Sequence, residues 1–203
     1  MRLFDVVRLV LSRLAIACAA MVVVAPAAAF AQAELTEGPK TVIISYRADA
    51  AKRIAFRQHM AGPFAAKLAG MRKAGKLAGY EVYYAWYRQP EVWDAMTVLH
   101  FENYAAVRAW LAVERSQPGG LDAAGLALGT PVATYSADLS WEKSGDALDV
   151  GEVYYVIPYS YREAGEYRDY VKGYVLPQFD GWIREGALSG YQPYMNRYSV
   201  GAP

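Results

Sequence analysis

Beyond residue 40 the chain reads as a succession of apolar patterns with clear periods, and these predict its elements. Thr41 to Tyr46 (TVIISY) is short and β-branched, which predicts a buried strand. Asp49 then stands where a helix cap would, ahead of Phe56, Met60, Phe64, Leu68 and Met71. That spacing of four, four, four and three keeps one helix face apolar to about Lys76. Gly62-Pro63 interrupts the stripe and predicts a kink or a break. Tyr80 to Arg88 reads as a second strand, Gln89-Pro90-Glu91 as a turn, and Trp93 to Phe101 as the hairpin partner. Asn103 is positioned to cap a second helix, with Tyr104, Val107, Trp110 and Leu111 turned inward. Ser116-Gln117-Pro118-Gly119-Gly120 ends it, and Val132 to Trp141 alternates as a fourth strand.

The order βαββαβ is an α+β arrangement of ferredoxin-like type. It starts again further on. Gly75-Lys76-Leu77-Ala78-Gly79-Tyr80 returns as Gly186-Ala187-Leu188-Ser189-Gly190-Tyr191, and both continue to G-x-L-x-G-Y-x-x-Y-x-x-x-Y, 111 residues apart. At the same displacement the first helix's stripe becomes Tyr167, Val171, Val175, Phe179 and Trp182, Gly62 becomes Gly173, and Val42 becomes Val153. A second unit is therefore expected, with a strand at Val153–Tyr159, a helix from about Glu163 to Glu185 and a strand at Tyr191–Tyr198. The chain's last residue, Pro203, falls one short of the counterpart of Trp93, so the reading expects a piece of a longer chain. The organisation expected is a signal peptide over 1–31, a linker over 32–40, a first unit over 41–142, a linker over 143–151 and a partial second unit over 152–203. With the second unit complete, each unit supplies the other's partner and a monomer is expected.

Residues 1–13 carry Arg2, Arg8 and Arg13, and Leu14 to Ala25 is an apolar run too short to span a bilayer. Pro26 follows, then Ala29-Phe30-Ala31 or Ala31-Gln32-Ala33 as a cleavage site, the layout of a secretory signal. The expectation is a periplasmic or secreted protein with no stable membrane anchor after cleavage. The single cysteine, Cys18, lies inside that run, which removes thiol catalysis and thiolate metal sites from the exported part. The net charge of +1 comes from the N-terminal arginines, and no basic patch marks a nucleic-acid partner. All 17 tyrosines and 5 tryptophans lie beyond residue 45, which fits pleated surfaces or an aromatic-lined pocket.

The βαββαβ order, the repeat and the G-x-L-x-G-Y motif over residues 41–198 resemble the dimeric α/β-barrel superfamily. Its ferredoxin-like units pair face to face, as two subunits or in tandem. Members include cofactor-independent monooxygenases of polycyclic aromatics, haem-degrading and haem-containing enzymes, small isomerases and stress-responsive proteins. The resemblance implies a pocket between sheet and helices. It transfers no functional residue, because no matching motif is present.

Candidate chemistry is therefore read from the residues alone. His100, at the end of the third strand on one face with Met96 and Val98, is the candidate base or haem ligand. His59, beside Met60 on the first helix, is a second candidate ligand, with Tyr170 as its counterpart. Tyr84 and Trp86 share a strand face with Tyr80 and Arg88 and can stack on a flat ligand, while Tyr83 and Tyr87 share the other face with Glu81. Arg197, in place of Trp86, is a candidate anion contact. No G-x-S-x-G, H-E-x-x-H, P-loop or G-x-G-x-x-G motif is present. The leading expectation is an exported protein that binds a small apolar or aromatic ligand without a cofactor. The alternatives are a cofactor-independent oxygenase or isomerase using His100 with pocket tyrosines, and a haem-binding protein using one histidine.

Overall fold

The hairpin and crossover pattern folds into one mixed α+β body around a five-stranded antiparallel sheet. The computed structural model describes residues 38–87, 92–145 and 153–197. The expected signal segment and Cys18 lie outside the described residues. So do parts of the first hairpin's turn and of the 143–151 linker.

The central strand is β1 (Lys40–Ala48), whose Val42, Ile44 and Tyr46 are buried. The first helical stretch opens with a 3-10 turn over Ala50–Lys52, in which the Lys52 amide donates to the Asp49 carbonyl at 2.9 Å. Asp49 has the extended backbone of a cap, but its side chain makes no capping bond. α1 (Arg53–His59), a π-helical turn (Met60–Phe64) and α2 (Ala65–Lys73) follow without a break. The expected kink at Gly62-Pro63 is absorbed by that wider turn, where the proline's missing amide removes one bond but its ring is accommodated. Phe56, Met60, Phe64 and Leu68 are all buried, as the stripe predicts.

β2 (Gly79–Tyr84) and β3 (Ala95–Phe101) form the hairpin, shorter than expected at its turn end. α3 (Tyr104–Ser116) is capped by Asn103, whose Oδ1 accepts from the Ala106 amide at 3.0 Å. Val107 and Trp110 point inward, but Tyr104 and Leu111, at the margins of that narrow stripe, are exposed. A short helix unforeseen in the sequence, α4 (Ala123–Leu128), is capped by Asp122, which accepts from the Gly125 amide at 2.8 Å. β4 (Gly129–Leu139) closes the first half.

In space the strands run β2-β3-β1-β4, with β7 (Tyr194–Asn196) added outside β4. Register sorts the side chains. Val42 faces Leu99 across the β1–β3 ladder, and Ile44 faces Thr97. Even positions of β1 and odd positions of β3 therefore meet α1, α2 and α3, in a core of Tyr46, Phe56, Met60, Phe64, Leu99, Phe101 and Trp110. Each fully buried side chain of this size contributes about 1.5–3 kcal/mol relative to exposure. Tyr46 also donates its phenol to the Gly119 carbonyl at 2.6 Å.

The second half repeats the helical boundaries to the residue. α5 (Ala164–Tyr170), a π-helical turn (Val171–Val175) and α6 (Leu176–Arg184) each lie 111 residues after α1, the first π turn and α2. The second turn carries no proline, so Pro63 is not what creates the first. Both stretches end on a glycine in the left-handed region, Gly75 at φ 69° and Gly186 at φ 71°, where a side chain is strained. The strands depart from expectation. Residues 153–159 form no strand. The last strand splits around Gln192-Pro193 into β6 (Gly190–Tyr191), paired with β5 (Lys143–Ser144), and β7, paired with β4.

Candidate functional site

β2 and β3 pair with Gly79 opposite His100, Glu81 opposite Val98 and Tyr83 opposite Met96. With one residue in two on each face, Glu81, Tyr83, Met96, Val98 and His100 share the sheet face turned away from the core. Thr41, opposite His100 on β1, joins them. This is the face that the alternation of the third strand assigns to His100, Met96 and Val98.

His100 Nε2 lies 2.8 Å from Glu81 Oε2, and both groups keep some exposure to water. With the carboxylate ionised, that nitrogen carries the proton and donates it. The lone pair of the neutral imidazole then sits on Nδ1, which faces Thr41 Oγ1 at 3.4 Å. The rings of His100 and Tyr194 stack at 6.4 Å, and those of Tyr83 and Tyr154 meet at 4.9 Å. Tyr194 reaches the site because β7 joins β4 with Tyr194 opposite Leu139. Burial pushes the phenols of Tyr83 and Tyr194 well above their ordinary value, and the Glu81 carboxylate pushes both further. Both phenols are therefore protonated hydrogen-bond donors at neutral pH. Together these groups offer ring faces for a flat molecule and a polar end at His100, Glu81 and Thr41.

The other sequence candidates fall elsewhere. His59 is buried between α1 and α4, its Nε2 3.3 Å from Asp122 Oδ1. A Cβ on Gly125 would come within 2.7 Å of that same nitrogen, so the glycine makes room for the imidazole. Tyr84 lies on the core face, with the Arg57 guanidinium 4.9 Å from its ring centroid. Burial raises its phenol, and Arg57 offsets part of the shift. Trp86 is past the end of β2, 69% exposed and edge-on to Tyr87. Arg197 bonds Asp138 Oδ1 at 2.6 Å through Nη2 and ties the end of β7 to β4. The structure thus brings His100 together with none of His59, Tyr84 or Trp86. Its neighbours are Glu81, Thr41 and Tyr194 instead, with the Tyr83–Tyr154 pair further along the same face. Glu81 could be found only by fixing the hairpin register, and Tyr154 and Tyr194 arrive from residues distant in sequence.

The space between the sheet and the first helices, where a pocket is expected, is filled by Phe56, Met60, Phe64 and Trp110. A groove of about 480 Å³ opens at the far end of β1, along Arg47, Asp49, Lys52 and Leu126–Thr130, and includes none of the candidate residues. Haem ligation through Nε2 of either histidine would require parting it from its carboxylate. Among the described residues, no group of three or more His, Cys, Asp and Glu side chains is arranged to hold a metal, and no helix is long and apolar enough to cross a membrane. Compared with known protein families, curated proteins and solved structures, the chain has no match.

Proposed function

We propose that the chain is an exported protein that binds a small aromatic ligand on the sheet face of His100. The observation that carries this reading is the His100–Glu81 pair with Tyr194 stacked on it and the Tyr83–Tyr154 pair further along the same face. A flat molecule bearing a hydroxyl or carbonyl group fits such a site. Its rings lie against the phenols, and its polar group exchanges hydrogen bonds with His100 or Thr41. Export rests on the arginine, apolar and small-residue layout of residues 1–31.

The scaffold we infer is the tandem ferredoxin-like one of the dimeric α/β-barrel type. The strand order β2-β3-β1-β4 supports it for the first half. For the second half, the support is the coincidence of α5, the π turn and α6 with α1, the first π turn and α2. β7 stands in the position of residues 83–85, at the end of the repeat's second strand, and it pairs with β4. One unit supplying a strand to the other's edge is the arrangement a tandem pair requires.

A second reading, catalysis without a cofactor, is favoured by the 2.8 Å contact alone. A carboxylate that holds an imidazole orients it as a general base, and Nδ1 would take a proton from a phenol or enol that displaces Thr41.

Calorimetric titration with hydroxylated naphthalenes tests the binding reading. The unmodified protein is expected to bind at least one of them, and His100→Ala and Tyr83→Ala to weaken that binding at least about tenfold, the loss of one good contact. His100→Ala is expected to cost no more than about 0.5 kcal/mol in stability, as a partly exposed position. Absence of binding across the series, or binding indifferent to both substitutions, would reject the site. Oxygen uptake or substrate isomerisation lost in His100→Ala would favour the second reading.

A further inference from the structure

The His100 face carries a sign of charge as well as a shape. With a neutral imidazole donating from Nε2 to Glu81 Oε2 at 2.8 Å, the pair as a whole is an anion. His100 bonds Glu81 through Oε2, and a carboxylate accepts at both of its oxygens. A second carboxylate stands behind Tyr194. The Tyr194 phenol donates to Gln192 Oε1 at 3.3 Å, and Gln192 Nε2 donates to Glu142 Oε1 at 2.9 Å. Both carboxylates act on the phenols, Glu81 on Tyr83 and Tyr194 and Glu142 on Tyr194, and each raises them. The basic side chains flanking this face in sequence, Lys40 and Arg197, belong to the opposite face with Asp138.

Ring faces surround the same negative charge. Tyr194 stacks on His100 with 28° between the planes, and Tyr83, two residues from Glu81 on one face of β2, meets Tyr154 at 4.9 Å. The face of a phenol ring attracts a cation, so the rings and the carboxylate favour the same kind of group. A neutral flat ligand gains contact with the rings but takes water from the Glu81 carboxylate without replacing it. A cation answers both. We propose that the aromatic ligand of this site is an organic cation, whose ammonium group sits against Glu81 and the rings of Tyr83 and Tyr194. This inference rests on the reading of the His100 face as a ligand site.

Calorimetric titration with two naphthols of one shape tests it. One bears a trimethylammoniomethyl group, and the other a neopentyl group, in which carbon replaces the charged nitrogen. The cation is expected to bind at least about tenfold more tightly than its neutral counterpart. Glu81→Gln keeps the size of the side chain and removes its charge, and it is expected to bring that ratio close to one. Glu81 is partly exposed, so raising the salt from about 0.05 M to about 0.5 M should also shrink the ratio in the unmodified protein. Equal binding of the two naphthols, or tighter binding of the neutral one, would overturn the cation and leave the site standing. A ratio unchanged in Glu81→Gln, or unchanged by salt, would overturn it as well, since the ammonium is then not read through this carboxylate. Binding of neither naphthol would reject the site itself and the inference with it.

Discussion

On one face of the sheet Ile44, Tyr46, Leu99 and Phe101 meet helices and leave no room for a ligand. On the other face the same strands present Thr41, Glu81, Tyr83 and His100, and the ionisable pair among them keeps contact with water. Nothing distinguishes the faces but alternate positions along each strand. On the core face Tyr46 is closed in a pair with Gly119 and His59 in one with Asp122. The His100 face holds groups with capacity left over, since a tyrosine hydroxyl and an imidazole each both donate and accept. A structural histidine and a candidate functional one thus differ in what their second nitrogen and their neighbours can still do.

That contrast can be pressed from the core side first. Phe64→Ala is expected to lower stability by about 3–5 kcal/mol, the cost of a buried phenylalanine cavity, in a urea titration. A loss under 1 kcal/mol would mean that the core face is as yielding as the other.

Alkaline pH should reach both faces. Tyr46 on the core face, and Tyr83 and Tyr194 on the other, have phenols raised from the ordinary 10.0 chiefly by burial. In the unfolded chain these phenols ionise near pH 10, while in the folded chain they keep their protons. Their contribution is therefore complete below pH 10 and is lost as the pH rises above it. The melting temperature is expected to hold from about pH 8 to 9 and to fall beyond pH 10, with tyrosinate absorbance appearing at the unfolding step. A flat profile to about pH 11 would contradict that burial.

The smallest effect compares the two halves. Gly75→Ala and Gly186→Ala each place a side chain at positive φ with open space around it, and each is expected to cost about 1 kcal/mol. Equal losses in thermal melts would mark the two turns as the same local device. A loss at Gly75 alone would mean that the second copy of the turn holds nothing in place.

Much of this was legible in the sequence wherever the signal is local. The stripe from Phe56 to Leu68, the Asn103 cap and the 111-residue displacement of the helices all stand in the structure. A helix satisfies its own backbone, so spacing and caps suffice to read it. A strand does not. Residues 153–159 have a strand's composition and stand in no strand, and Trp86 has a strand's alternation beyond the strand's end. The site was half legible for the same reason. His100 and its face follow from alternation, but Glu81 needed the hairpin register, and Tyr154 and Tyr194 needed contacts that no local pattern encodes. His59 stood out as one of only two histidines, and the structure gives it a buried partner in Asp122.

Those two histidines also make the most direct measurement simple, because each imidazole is a resolved reporter of one face of the sheet. Long-range proton–nitrogen spectra recorded while a hydroxylated naphthalene is added should shift the His100 ring signals progressively and leave those of His59 in place. Movement of His59 with His100 unchanged, or of neither at saturating ligand, would contradict a site on the His100 face.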